Sequence, residues 1–339
     1  MIKLIISLCL LTISSYSSVE LGVDLFFQSS LTSTLKGKRI GLVTNHTGVN
    51  KQLNSTFELF LQNQKGLTLA AVFAPEHGFF GHIAADKEVK SEKISGIPIY
   101  SLYGKTRRPT EEMLKNIDVL IYDIQDIGVR SYTYASTLYY VMEEASKKNI
   151  PVIVLDRPNP LGGNIVDGPS LEEAFRSFIG YIDVPYCHGM TIGELALYFN
   201  AEYKIKCSLQ VVPMKGWKRS MLFAETDLNW IPTSPYIPEA DTPLFYATTG
   251  LIGELGLVNI GVGYSLPFKV IGAPWIKAEE FANKLANQNF LGVKFVPFQF
   301  TPHFGLYKGE LCKGVLIVIL DKKEFTPVKL QHGILGILK

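Results

Sequence analysis

Four short apolar runs in the first half of this chain each break off into residues that do chemistry. Gly41-Leu42-Val43-Thr44 leads to Asn45-His46, and Ala70-Ala71-Val72-Phe73 leads to Pro75-Glu76-His77-Gly78. Val119-Leu120-Ile121-Tyr122 leads to Asp123-Ile124-Gln125-Asp126, and Val152-Ile153-Val154-Leu155 leads to Asp156-Arg157-Pro158-Asn159. The runs are apolar throughout rather than alternating, as strands are when both faces are buried. Helical stretches separate them. Ser55-Thr56-Phe57-Glu58 has the spacing of a capping box. The stretch from Ala135 to Lys148 sets Leu138, Val141, Met142 and Ala145 at helical spacing, with Glu143, Glu144, Lys147 and Lys148 outside. Strand, helix, strand in this order predicts an α/β fold, a Rossmann-like parallel sheet covered by helices. Ligands of such sheets bind beyond the carboxyl ends of the strands. Four polar clusters at successive strand ends therefore predict one site fed by several loops.

A chain of 339 residues suits two domains. The strand and helix pattern runs from about residue 19 to residue 185, and Thr191-Ile192-Gly193-Glu194 then opens another capped helix. That helix sets Ile192, Leu195, Ala196 and Phe199 on one face. Residues 229–275 are rich in proline and glycine and read as loop, while Gly314 to Leu320 reads as a late buried strand. We place the boundary at 185 and a smaller α+β domain over 186–339. Residues 1–18 read as a signal peptide: Lys3, then an apolar stretch from Leu4 to Ile13, then Ser15-Tyr16-Ser17. The stretch is too short to span a bilayer, so export to the periplasm or exterior is expected, without stable membrane insertion. Basic and acidic residues number 33 and 31, a balance that leaves no electrostatic footprint for nucleic acid. Removal of Cys9 with the leader would leave Cys187, Cys207 and Cys312, which form neither a disulfide framework nor a paired metal-ligand spacing. At most one bridge is expected. Oligomeric state is not legible.

Glu76, between Pro75 and Gly78, is placed to serve as a general acid if burial raises its pKa, with His77 beside it. Asp123 and Asp126 add two carboxylates around Gln125, and paired carboxylates are the working parts of most glycosidases. Asp residues ahead of a helix also cap it. One of the two is expected to be structural and the other functional. The planar fork of Arg157 suits clamping of a carboxylate, with a local Asp156–Arg157 pair as the alternative. Asn45, Gln125, Arg130, Tyr132, Asp156, Asn159 and His188 complete the expected binding set at the strand ends. His46, His77, His82 and His188 show no i, i+4 spacing, so no metal is expected. Neither a P-loop nor G-x-G-x-x-G follows the first strand, so no nucleotide cofactor is expected. Trp230, Tyr236, Phe245, Tyr246, Tyr264, Phe268 and Trp275 would suit a sugar-stacking wall.

Taken together, Ala74-Pro75-Glu76-His77-Gly78-Phe79-Phe80-Gly81, Ser101-Leu102-Tyr103-Gly104, Asp123-Ile124-Gln125-Asp126-Ile127-Gly128-Val129-Arg130 and Leu155-Asp156-Arg157-Pro158-Asn159-Pro160-Leu161-Gly162-Gly163 resemble the exo-β-N-acetylmuramidase family. His188-Gly189-Met190-Thr191, Val212-Pro213-Met214-Lys215-Gly216-Trp217 and Ile271-Gly272-Ala273-Pro274-Trp275 extend the likeness, in order, from about residue 20 to the end. The resemblance implies a Rossmann-like domain, a smaller C-terminal domain and a site between them. It also implies hydrolysis of terminal, non-reducing N-acetylmuramic acid (MurNAc) from peptidoglycan fragments, without a cofactor. By family motif Glu76 is the leading acid candidate, with His77, Asp123, Asp126, Arg130 and His188 near it. Arg130 or Arg157 would hold the lactyl carboxylate that distinguishes MurNAc from N-acetylglucosamine. Where many members carry Ser-Glu-Gly-Arg-Gly, this chain has Asn259-Ile260-Gly261-Val262-Gly263, which leaves Asp241 and Glu254 as the nearby acidic candidates. The chain also ends soon after Pro327, where the family pattern would continue in helix. The competing expectation is an exported protein that binds cell-wall sugars without cleaving them, and a third is a metal-dependent hydrolase.

Overall fold

The computed structural model describes residues 18–62, 66–85 and 87–339, so the expected leader lies outside the described residues save Ser18. The strands are β1 (Arg39–Thr44), β2 (Thr68–Ala74), β3 (Glu92–Ile94), β4 (Ile97–Ser101), β5 (Val119–Asp123), β6 (Val152–Leu155), β7 (Val166–Asp167), β8 (Cys187–His188), β9 (Leu209–Val212), β10 (Val270–Ala273), β11 (Val293–Phe300) and β12 (Cys312–Ile319). The helices are α1 (Gly22–Gln28), α2 (Leu31–Thr34), α3 (Thr56–Leu61), α4 (Glu111–Leu114), α5 (Tyr134–Lys147), α6 (Ile192–Glu202), α7 (Thr242–Glu254), α8 (Ala278–Ala286) and α9 (Pro327–Leu338).

Seven strands form one sheet in the order β3-β4-β2-β1-β5-β6-β9. All its pairings are parallel except that of the edge strand β3 with β4. Without β3 this is the 3-2-1-4-5-6 order of a doubly wound Rossmann sheet. The continuous apolar runs have a direct cause. In β5, Val119 and Ile121 face the cluster built on α1 and α3, while Leu120 and Tyr122 face the cluster built on α5 and α6. Successive side chains point to opposite faces, and here both faces are covered. Each fully buried Leu or Ile of this kind contributes about 1.5–3 kcal/mol. The helix expected from Ala135 is α5, whose buried stripe includes Leu138, Val141, Met142 and Ala145.

The sheet continues past the boundary expected at residue 185. α6 carries the chain along the α5 face, and β9 then joins β6 in parallel as the outermost strand. α6 opens with the expected capping box, in which Thr191 and Glu194 satisfy each other's backbone N–H groups. Ser55 behaves differently, for it precedes α3 without a side-chain cap bond. Beyond residue 240, β10-β12-β11 make an antiparallel sheet joined by α7, α8 and α9, and the cluster on the α5 face runs into it without a break. The stretch read as loop over 229–275 contains α7, which enters through Pro243 in its first turn. Cys187, Cys207 and Cys312 are buried free thiols, so no bridge joins them. No described helix is long and apolar enough to cross a membrane.

Candidate active site

The strand order puts the topological switch between β1 and β5, the place where ligands lodge in sheets of this kind. The loops after β1, β2, β5 and β6 all meet there. Glu76 follows β2 on a turn closed by the Gly78 N–H to the Pro75 carbonyl at 3.0 Å. His77 and Gly78 both lie in the left-handed region, at φ 69° and 78°, so His77 carries backbone strain of order 1 kcal/mol or more. Its ring Nδ1 bonds the Ile83 carbonyl at 2.7 Å, which pins the strained turn. The turn leaves Glu76 buried at 7% exposure, with the Thr133 hydroxyl donating to Oε2 at 2.6 Å.

The other strand ends supply the frame. Asp123 is fully buried, and the Arg157 guanidinium donates to both its oxygens, at 2.5 and 2.9 Å. The Thr56 hydroxyl also donates to Oδ2, and Arg157 donates further to the Val49 carbonyl at 2.7 Å. This geometry makes Asp123 the anchor of Arg157 rather than a reacting carboxylate. It also corrects the substrate clamp expected of Arg157, whose fork is spent inside the protein. Asp156 does not pair with the Arg157 guanidinium. It accepts the backbone N–H groups of Arg157 and Gly193 and the Thr191 hydroxyl, so it ties the start of α6 to the end of β6. Burial pushes the Asp156 carboxyl up to about 6, against these donors. Asn45 accepts from the Thr47 N–H and hydroxyl and donates to the Tyr134 hydroxyl. Gln125 donates to the carbonyls of Asp126 and Pro158, and Asn159 donates to the Met190 carbonyl while accepting from the Leu161 N–H. Gly128 is required here, since a Cβ would sit 2.1 Å from the Asn159 Oδ1 at φ +80°.

Asp126 is different. Its Oδ2 accepts the Gly128 N–H at 2.7 Å, but its Oδ1 is buried without a partner. β8 runs beside Gly128–Arg130, through the Val129–Cys187 bridge and the Arg130 N–H to Tyr186 carbonyl bond, and so sets His188 against Asp126. The His188 Nδ1 accepts the Met190 N–H, which leaves the ring proton on Nε2. That Nε2 lies 3.6 Å from Asp126 Oδ2 and has no hydrogen-bond partner either. An acceptor and a donor, both buried and both unsatisfied, thus sit side by side. Each such group costs about 1–3 kcal/mol while it stays unpaired.

Three further expectations fall outside this centre. Arg130 donates to the carbonyls of Pro169 and Val184 and ties down that segment. Asp241 is held by Lys322 at 2.6 and 2.7 Å, and Glu254 is exposed at the end of α7. Asn259, in the departing run, bolts its loop to the Val262 and Leu306 carbonyls.

The segment after Trp230 crosses the strand ends as a roof. His46 Nε2 donates to the Pro232 carbonyl at 2.5 Å, Tyr134 to the Thr233 carbonyl at 2.7 Å, and Tyr132 to the Thr233 hydroxyl at 2.9 Å. Tyr132, expected to touch substrate, thus also supports the roof. Burial, and next to it the neighbouring His77, pulls the His46 imidazole below its usual range. Gly81 packs on that ring so closely that a Cβ would lie 1.9 Å from its Cε1. The centre also holds Thr133, bonded to Glu76 and not singled out from sequence, and Tyr246 from α7, one of the aromatics expected to form a sugar-stacking wall. The Tyr246 hydroxyl lies 3.1 Å from Ser131 Oγ, which in turn bonds the Tyr186 hydroxyl at 2.9 Å. Burial pushes the Tyr246 phenol up to about 12, and Glu254, Glu76 and Asp126 push the same way. Among the described residues no group of three or more His, Cys, Asp or Glu is placed to hold a metal ion.

Comparison with known proteins joins both halves of the chain to one family. Residues 40–241 match the N-terminal model, and residues 244–339 the C-terminal model, of the exo-β-N-acetylmuramidase NamZ. The peptidoglycan β-N-acetylmuramidase NamZ of Bacillus subtilis (strain 168) is 46% identical over 313 residues, covering 92% of this chain and 75% of that one. A crystal structure of a DUF1343 family protein from Bacteroides fragilis NCTC 9343 superposes with a TM-score of 0.89 at 42% identity, over 95% of this chain and 82% of that one. A second from the same organism gives 0.71 at 30% identity, over 94% and 84%.

Proposed function

The chain belongs to the exo-β-N-acetylmuramidase NamZ family, and we propose on that premise that it cleaves terminal, non-reducing β-linked MurNAc from peptidoglycan fragments, with Glu76 as the acid. One observation carries the choice of acid. Of the strand-end carboxyls, Asp123 is neutralised by Arg157 and Asp156 ties down the start of α6, while Glu76 accepts a hydroxyl at the switch point. Protonated Glu76 delivers its proton to the leaving glycosidic oxygen, and Asp126 is the second carboxylate of the centre. The two arms that Arg157 would turn to the lactyl carboxylate are bonded to Asp123, which leaves Arg130, bonded through Nη1 alone, as the candidate for it.

The signal-like start of the chain supports export to the periplasm or beyond, where such fragments arise. Purified protein incubated with MurNAc-N-acetylglucosamine should release free MurNAc, and Glu76→Gln should slow the release about 10²–10⁴-fold. Tight binding of the disaccharide without turnover from acid to neutral pH would make the protein a wall-sugar binder instead. Unchanged turnover in Glu76→Gln would remove Glu76 as the acid.

A further inference from the structure

We propose that the nucleophile is the substrate's own 2-acetamido group, seated between Asp126 and Tyr246; this rests on the hydrolysis reading above. Asp126 Oδ1 is a buried acceptor that lacks a donor, in a carboxylate whose other oxygen is pinned by the Gly128 N–H at 2.7 Å. An unpaired buried carboxylate oxygen calls for a hydrogen-bond donor, and the amide N–H that a 2-acetamido sugar carries on C2, next to the anomeric carbon, is such a donor. Hydrolases that use substrate assistance need no enzyme nucleophile, only groups that orient the amide.

The matching donor comes from the other half of the chain. Tyr246 projects from α7, edge-on to Tyr132 at 6.0 Å and to Phe268 at 5.0 Å. Its hydroxyl bonds Ser131, two residues from the Thr133 that holds Glu76. Its phenol stays protonated over the working pH range, so it donates. A carboxylate that accepts the amide N–H and a phenol that donates to the amide oxygen align the acetamide for attack.

In the first step the acetamide oxygen bonds to C1 as the bond from C1 to the glycosidic oxygen breaks, and the Glu76 proton passes to that oxygen. The resulting oxazolinium carries its positive charge beside Asp126. In the second step water attacks C1, the bond from C1 to the acetamide oxygen breaks, and Glu76 recovers a proton from that water. One water is consumed and the β configuration is retained.

Proton NMR of the first-formed MurNAc, with an aryl β-MurNAc series from N-acetyl to N-trifluoroacetyl, tests this on the wild-type protein. The β anomer should appear first, and kcat should fall on the order of 100-fold or more across the series, as a weakening nucleophile raises the barrier. Tyr246→Phe keeps the ring packing. It should lower kcat about 10- to 100-fold with little change in KM or Tm. First appearance of the α anomer overturns the proposal in favour of direct attack by water. Retention with a flat fluorine series and a trapped glycosyl-enzyme overturns it in favour of a protein nucleophile. Both results leave hydrolysis standing, whereas no release from any substrate removes both readings.

Discussion

Asp123→Asn separates a structural carboxylate from a catalytic one. In the native protein the Asp123 carboxylate is fully buried and takes two bonds from an Arg157 side chain that is itself 4% exposed. The substitution removes the negative charge and leaves the guanidinium buried against a neutral amide, one side of which is a donor. Breaking one half of such a pair costs about 3–5 kcal/mol, because the surviving charge is uncompensated. At roughly 2–4 °C per kcal/mol for a chain of this size, Tm should fall on the order of 10 °C. Urea and thermal unfolding of Asp123→Asn, Arg157→Met and the double variant give the full cycle. The double variant leaves no unpaired charge at this position and should regain at least half of the loss, a coupling expected of residues in contact. Turnover of the folded Asp123→Asn protein, assayed well below its midpoint, should stay within about tenfold of wild type. A variant that keeps its stability to within about 1 kcal/mol while losing turnover a thousandfold or more would refute the reasoning. Asp123 would then be a reacting group that happens to touch Arg157.

Glu76→Gln should cost about 10²–10⁴ in kcat with little loss of Tm, since the Thr133 hydroxyl still finds an amide oxygen; steady-state kinetics and a thermal melt on the same preparation check both halves. The Asp156 carboxyl is raised to about 6 in the folded protein from an ordinary 3.8. Its contribution to stability is therefore complete below the unfolded value and lost as pH climbs through 6. Unfolding free energies from urea titrations taken from pH 5 to 7.5 should fall by about 1.4 kcal/mol from this group, and Asp156→Asn should flatten that part of the slope. Gly81→Ala places a methyl against the His46 ring at a φ of +70°, so it should destabilise by about 1–3 kcal/mol and raise KM as the roof shifts. An unchanged KM would disconnect His46 from the roof.

The parallel sheet was legible because its physics is local. A strand such as β5, buried on both faces, must be apolar at every position, and the chain can be polar only where it leaves the sheet. α7 was not legible. Pro243 and the glycines suggested loop, yet the proline fits the first turn, and Thr248 and Thr249 turn their hydroxyls back to the Leu244 and Phe245 carbonyls. In the site, Glu76, Asp126 and His188 could be picked out as polar residues at strand ends. Their roles could not, because the deciding partners are distant in sequence. Arg157 meets Asp123 across 34 residues, and Lys322 meets Asp241 across 81. The alternative pairing of Asp156 with Arg157 is met only at the Arg157 backbone N–H, and its other partners, the Thr191 hydroxyl and the Gly193 N–H, lie 35 and 37 residues away. Tyr246 looked like one aromatic among many, and only its hydroxyl contact with Ser131 singles it out.

The roof over the strand ends is also the stretch of chain that leads from β9 into α7. Pro232 and Thr233, whose carbonyls are gripped by His46 and Tyr134, lie on the only covalent route between the two halves. Cover and tether are one piece, so any movement that admits a sugar also pulls on the helix that delivers Tyr246. Cutting the chain there would not yield a compact enzyme and a dispensable appendage. It would yield an uncovered cleft without its phenol, and a helix with nothing to deliver it to.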